Sequence, residues 1–332
     1  MVSSLLLALE GKNQGRAPIW LMRQAGRYLP EYRALRAQHS LKELFFTPHL
    51  AASISLMPLR RFALDAAILF SDITVVAEAL GLSLSFNEGP CIAPRVVPGT
   101  CLPLFPEKLD PIIQTLSLLK PQLQVPLIGF CGAPFTVASY LIGDLEETKK
   151  WIGDKAFVHL LDQIAEVSCA YLRDQVAAGA DAIQIFDSWA NVLSREQFRT
   201  FSLPYLHKLI QSVDVPVIFF MRGAGAYLDE IPCAVSLDWE TDLKEARRKT
   251  KKTLQGNLNP DLLLGPLSLL EEEVAKVLDA MQEDPAFIFN LGHGVKPNTP
   301  VEAIEHLVGY VRYHHPRSSQ PPTVEPRCSS LY

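Results

Sequence analysis

Pro18-Ile19-Trp20-Leu21-Met22-Arg23-Gln24-Ala25-Gly26-Arg27 is an apolar run that ends abruptly in guanidinium. Residues 17–22 read as a strand covered on both faces, because no polar residue alternates within it. A doubly wound dinucleotide fold needs a glycine-rich turn at the end of its first strand. The turn here is Arg-Gln-Ala-Gly-Arg, which argues against that fold. Comparable apolar runs recur at 66–71, 126–131, 181–186, 216–221, 234–239, 253–258 and 286–291. Helical patterns lie between or after them near 47–60, 108–121, 157–179, 195–213, 242–250, 267–282 and 301–313. Strand and helix alternating eight times predict an α/β protein built as a single (β/α)8 TIM barrel. Prolines and glycines crowded into 82–104 predict a hairpin and loop inserted after the second strand. The barrel is expected over 1–313, with 314–332 a disordered, proline-containing tail. No repeat is visible beyond the βα rhythm.

Around the opening stretch, residues 16–36 hold five arginines (16, 23, 27, 33, 36), one acid (Glu31) and no lysine. The whole chain of 332 residues has a formal charge of −5, so this patch runs against the balance of the molecule. The planar fork of arginine binds carboxylate or phosphate at two points, which points to a polyanionic ligand. The net acidity speaks against nucleic acid as a partner. Hydrophobic residues at 48% and charged ones at 20% describe an ordinary soluble domain with a substantial core. No apolar stretch reaches the roughly 18 residues of a membrane span, and the Ser4–Leu9 run has no basic leader before it. The six cysteines (91, 101, 131, 169, 233, 328) are scattered, as expected for reduced thiols in a cytoplasmic protein.

The ends of the expected strands carry the chemistry, since barrel enzymes build their sites at that rim. Strand one ends in Arg23, strand two in Phe70-Ser71-Asp72, and strand three in Cys131-Gly132-Ala133-Pro134, with Tyr140 beyond it. Strand four ends in Phe186-Asp187-Ser188-Trp189, strand five in Arg222-Gly223, strand six in Asp238-Trp239 and strand seven in Asn257. Strand eight ends in Asn290-Leu291-Gly292-His293-Gly294, and His293 is the one histidine of eight at a strand end. Gly223, Gly292 and Gly294 would let backbone approach a ligand or adopt positive φ. Each residue also has a plainer use. Arg23 and Arg27 could be surface charge, Asp72 a helix N-cap, and Asp187 and Asp238 caps or ion-pair partners. Tyr140 and Ser188 gain weight only from convergence on one rim. No phosphate loop, dinucleotide fingerprint, His-x-His or His-Glu-x-x-His is present, and no lysine ends a strand, which disfavours Schiff-base chemistry. Polyanion binding without a recognisable metal or cofactor motif implies a substrate that supplies its own reactivity.

These residues carry a resemblance. From about residue 5 to 313 the chain resembles the uroporphyrinogen decarboxylase family. The likeness rests on Pro18 to Arg33, Arg60-Arg61-Phe62, Ala66 to Ile73, Gly129-Phe130-Cys131-Gly132-Ala133-Pro134-Phe135-Thr136, Phe186-Asp187-Ser188-Trp189, Leu254-Gln255-Gly256-Asn257-Leu258 and Asn290 to Gly294. It implies a barrel, usually a homodimer with facing clefts, that removes CO2 from the four acetate arms of uroporphyrinogen III. Coproporphyrinogen III results, with no cofactor and no metal. Arg23, Arg27 and Arg36 match positions that bind the substrate carboxylates, with the backbone around Gln24, Ala25 and Gly26. Asp72 matches the aspartate that accepts hydrogen bonds from the central pyrrole N–H groups and, with Arg23, is the implied catalytic residue. Tyr140, Phe186, Ser188 and His293 match the remaining substrate contacts. Departures from the family pattern are Arg222, often lysine there, together with Asn191, Asn259 and the 314–332 tail. The alternative within the superfamily, a zinc-dependent methyltransferase acting on corrinoids or thiols, would need a His/Cys set to hold zinc. The fifth strand end, Phe219-Phe220-Met221-Arg222-Gly223, has none.

Overall fold

The computed structural model describes residues 3–313. Seven strands form one parallel sheet in the order β1 (Ala67–Ile68), β4 (Leu127–Gly132), β5 (Ala182–Phe186), β6 (Val217–Phe220), β7 (Ala234–Ser236), β8 (Leu254–Leu258) and β9 (Phe287–Leu291). Between β1 and β4 the chain makes an antiparallel ribbon, β2 (Ser83–Phe86) with β3 (Pro90–Ala93), in the register Ser83 to Ala93. The tail beyond residue 313 lies outside the described residues.

The expected first strand at 17–22 is reduced to one parallel bridge, Ile19 to Phe289. The physical reason is where its donors go. Pro18 has no N–H to give. The N–H groups of Ile19, Leu21 and Met22 donate to side chains instead: Asp65 at 2.8 Å, Gln24 at 3.2 Å and Asn290 at 3.0 Å. The segment still closes the ring. The Pro18 carbonyl accepts from Phe289 N–H at 2.8 Å, and the Ile19 carbonyl accepts from Asp65 N–H at 2.8 Å. Residues 18 and 19 thereby join the β9 edge of the sheet to the chain entering β1.

The expected helix at 195–213 is two helices, Arg195–Phe201 and Leu203–Gln211. Pro204 cannot donate into a continuous helix, and the Ser202 hydroxyl at the break donates to Asp187 at 2.6 Å. Pro134–Ile142 is a helix with no apolar stripe to betray it, since eight of its nine residues are buried. The barrel interior contains a polar layer among its aliphatic side chains. Trp20 Nε1 donates to Gln255 Oε1 at 2.9 Å, and Gln255 Nε2 donates to Gln184 at 3.1 Å and to Ser236 at 3.0 Å. All four side chains are buried, and the layer ties β5, β7 and β8 to the first segment.

Candidate active site

The loop after the first segment begins with Arg23 at φ 59°, a left-handed conformation that bends the chain sharply out of the barrel wall. Gln24 holds the bend. Its N–H donates to the Leu21 carbonyl at 2.9 Å, and its buried side chain accepts from Leu21 N–H and donates to the Ala66 carbonyl at 3.2 Å. Its own carbonyl accepts from the Tyr28 hydroxyl at 2.6 Å. Gln24 is therefore a clamp whose side chain and N–H are already engaged. Ala25 and Gly26 are half-buried, and their N–H groups, with that of Arg27, donate to no protein acceptor among the described residues.

The five arginines do not form one patch. Arg16 is paired bidentately with Asp65 at 2.7 and 2.8 Å, below the rim. Arg33 donates to the carbonyls of Arg27 and Tyr28, and Arg36 to that of His39 at 2.7 Å. Arg61 takes the single acid of the stretch, Glu31, at 2.6 and 3.0 Å. Arg23 and Arg27 remain, both exposed and with no ion-pair carboxylate among the described residues. Two unneutralised guanidinium groups beside free backbone N–H groups make a receptor for carboxylates.

Asp72 is half-buried just past β1. Its Oδ1 accepts from Thr74 N–H at 2.9 Å and from the Thr74 hydroxyl at 2.5 Å. Both the cap-like turn expected of an aspartate here and an exposed functional oxygen can thus coexist, because Oδ2 has no protein donor among the described residues. Burial pushes Asp72 above the usual carboxylate range, while the Thr74 bonds and the charge of Arg23 pull the other way. Tyr140 is raised by burial and by the charge of Asp72, and lowered by Arg23. His293 is lowered to about 4 by burial first, then by Arg23, Arg222 and Lys296, so it is neutral at physiological pH. Arg23 therefore acts on Asp72, Tyr140 and His293, which arrive from three different places in the chain.

Half-buried Phe186, Tyr140 and Trp189 stand at or just beyond these strand ends, with buried rings packed behind Phe186. Phe186 packs edge-on against Phe130 at 5.7 Å and Phe220 at 6.0 Å, and Phe220 meets the His293 ring at 5.8 Å. Tyr140 lies over Trp189 at 4.3 Å. Ser188 is half-buried between the buried Asp187 and that Trp189. Trp189 carries no site signal of its own in the sequence, because an apolar residue at a strand end looks like core, and Phe130 and Phe220 are indeed buried core.

Several rim residues are structural. Asp187 is fully buried, accepts from Thr136 N–H and hydroxyl at 3.2 and 2.6 Å, and so caps the Pro134–Ile142 helix. Asp238 accepts from Gly223 N–H and from the Thr241 hydroxyl, and Asn257 donates to the Asp238 and Thr241 carbonyls. Asn290 accepts from Met22 N–H. Gly223 adopts φ 72°, as expected for a glycine in that turn. The other two glycines make close approaches to protein rather than to open space. A Cβ at Gly292 would stand 2.5 Å from Trp239 N, and one at Gly294 2.5 Å from Arg23 Cδ. A separate recess lined by Lys12, Arg16, Met281, Asp284 and Phe287 lies at the opposite end of the strands and contains none of the converging groups. No cluster of three His, Cys, Asp or Glu side chains able to hold a metal ion occurs among the described residues.

Residues 2–314 match the model of the uroporphyrinogen decarboxylase (URO-D) family. Two relatives described as uroporphyrinogen decarboxylase are similar over nearly their whole lengths. That of Protochlamydia amoebophila is 44% identical, covering 93% of this chain and 91% of its own, and that of Pelobacter propionicus is 40% identical, covering 94% and 98%. Among solved structures, a methyltransferase from Methanosarcina mazei superposes with a TM-score of 0.79 at 24% identity over 93% of this chain and 97% of its own, a likeness of fold. With the parallel barrel and the arginine-flanked aspartate in place, the match along almost the full sequence shows that this chain belongs to the uroporphyrinogen decarboxylase family of carboxy-lyases.

Proposed function

We propose that this site removes CO2 in turn from the four acetate arms of uroporphyrinogen III, leaving methyl groups and giving coproporphyrinogen III without a cofactor. The observation that supports it best is a single carboxylate, Asp72, with one oxygen uncommitted, under the charge of the unpaired Arg23 and facing Tyr140, whose ring stacks on Trp189. A macrocycle with eight carboxylates needs that combination of apolar face and guanidinium rim. Arg23 and Arg27 take substrate carboxylates, the N–H groups of Ala25 and Gly26 assist, and Arg36 contributes the donors that His39 leaves free. Phe186 faces the macrocycle, while Tyr140, Ser188 and neutral His293 supply hydrogen bonds.

The chemistry follows from the pyrrole. Protonation of a ring carbon beside the acetate-bearing carbon creates a cation. The C–CO2 bond then breaks with its electron pair flowing into the ring, and CO2 leaves. Protonation of the exocyclic carbon makes the methyl, and loss of the ring proton restores the pyrrole, so each cycle consumes one proton net. A fixed carboxylate under the pyrrole N–H groups stabilises the ring most when its positive charge is greatest. Asp72 has that role. A guanidinium gives up its proton too reluctantly to serve as the acid, so Arg23 orients the reacting arm and supplies charge.

Asp72→Asn keeps the shape but loses the charge, and turnover should fall roughly 10²-fold or more. A variant with near-full rate and an unchanged melting temperature removes Asp72 from the mechanism. Anaerobic incubation with uroporphyrinogen III should yield seven-, six-, five- and four-carboxylate products equally with and without a strong chelator. Activity lost with the chelator would favour metal-dependent chemistry. We also propose a cytoplasmic homodimer. No helix among the described residues is long and apolar enough to cross a membrane, and light scattering that gives a monomer mass under assay conditions would exclude the dimer.

A further inference from the structure

Thr74 is fully buried two residues after Asp72, and it gives Oδ1 of that carboxylate both its N–H, at 2.9 Å, and its hydroxyl, at 2.5 Å. The N–H bond alone is enough to shape an aspartate-initiated turn. The hydroxyl bond is redundant for the turn, yet it is the shorter of the two and falls on an ionisable group. We propose that Thr74 is a positioning residue for decarboxylation: its hydroxyl pins one oxygen of Asp72 in the ionised state and leaves the other for the pyrrole N–H groups. The inference rests on the reading of Asp72 given above.

Burial drives Asp72 toward its neutral form, which could not receive N–H hydrogen bonds as a full carboxylate. Besides Thr74 itself, only the charge of Arg23 opposes burial, and it is one of three groups that face Asp72. Arg23 faces Asp72 from the loop after the first segment, Tyr140 from the Pro134–Ile142 helix, and Tyr171 from the Lys155–Ala177 helix. Burial raises both tyrosines above their ordinary range, so they are neutral, and Arg23 is the one charge among these groups. Arg23 is also engaged by substrate in the reading above, and a guanidinium paired with an acetate offers Asp72 less. The Thr74 N–H and hydroxyl are then the donors that keep Asp72 charged in the loaded site, and the hydroxyl is the one its side chain supplies. That hydroxyl cannot be distracted, because it is buried and has no other partner among the described residues.

The test is the pH dependence of kcat/KM for uroporphyrinogen III in Thr74→Val, Thr74→Ala and Thr74→Ser, with Asp72→Asn alongside. Valine keeps the shape without the donor, and alanine removes the donor without adding bulk if valine fails to fold. Serine retains the donor. In Thr74→Val or Thr74→Ala the acidic limb should move up by roughly one pH unit, as for loss of one charge-assisted hydrogen bond. Activity should drop about tenfold on that limb and little on the alkaline plateau, with Thr74→Ser restoring the wild-type limb. An unmoved limb in Thr74→Val and Thr74→Ala, with Asp72→Asn inactive, overturns the role of Thr74 and leaves that of Asp72 intact. Full turnover in Asp72→Asn overturns the reading of Asp72 and the inference with it.

Discussion

Gly294 offers the sharpest test of how the arginine is aimed. A Cβ at this position would lie 2.5 Å from Cδ, 2.7 Å from Cγ and 3.1 Å from Nε of Arg23. Ordinary carbon–carbon contact needs about 3.5 to 4.0 Å, so Gly294→Ala drives the Arg23 stem back by about 1 Å. The clash is with a flexible, exposed side chain, so it can be relieved without disturbing the barrel. The stability cost is then at most about 1 kcal/mol, and the melting temperature should stay within about 4 °C of wild type. Catalysis has no such slack, since a misplacement of about 1 Å can cost on the order of 10²-fold. Chromatography of partially decarboxylated porphyrins, with kcat and KM measured separately, should show kcat/KM lower by roughly 30- to 100-fold. If the effect runs through Arg23, Arg23→Ala with Gly294→Ala should be no worse than Arg23→Ala alone, a non-additivity expected of groups in contact. Activity within twofold of wild type, or full additivity in the double variant, refutes the reasoning.

Arg27→Lys retains charge and loses the two-point fork, so KM should rise roughly tenfold with kcat little changed; an unchanged KM would mean Arg27 is not a carboxylate clamp. His293 makes a pH prediction. Its folded value of about 4 lies below the ordinary 6.5, so the unfolded chain takes up a proton that the folded chain refuses. Its contribution is complete above pH 6.5 and is lost as pH falls toward 4, by up to about 3 kcal/mol. His293→Gln should lose less melting temperature than wild type between pH 7.5 and 4.5; equal losses would show that His293 is not held neutral.

Much of the architecture could be read along the chain because parallel barrel strands are continuous apolar runs. β5, β6, β8 and β9 fall within the expected segments for that reason, and β4 runs one residue past its own, to Gly132. The first segment misled because apolar composition reports burial, whereas strand pairing depends on where the N–H groups go. Those of Ile19, Leu21 and Met22 go to Asp65, Gln24 and Asn290, two of which are more than 40 residues away in sequence. The helix Pro134–Ile142 was hidden for a related reason: being buried nearly all round, it has no polar face to set a period.

At the site, the linear order of residues already tells which chemical groups exist and that they stand at or just beyond strand ends: Arg23, Arg27, Asp72, Tyr140, Ser188 and His293. Strand direction puts every such end on one rim, so a one-dimensional reading suffices for that much. Only the tertiary structure decided which of them are free to act. Arg16 and Asp187 carry the same charges as Arg23 and Asp72, but Asp65 neutralises the first, and Thr136 and Ser202 occupy the second. It also decided that Thr74 holds Asp72 and that Gly294 makes room for Arg23. A charge is available for catalysis when nothing nearby satisfies it, and what lies nearby is set by contacts between residues remote in sequence, which no local pattern records.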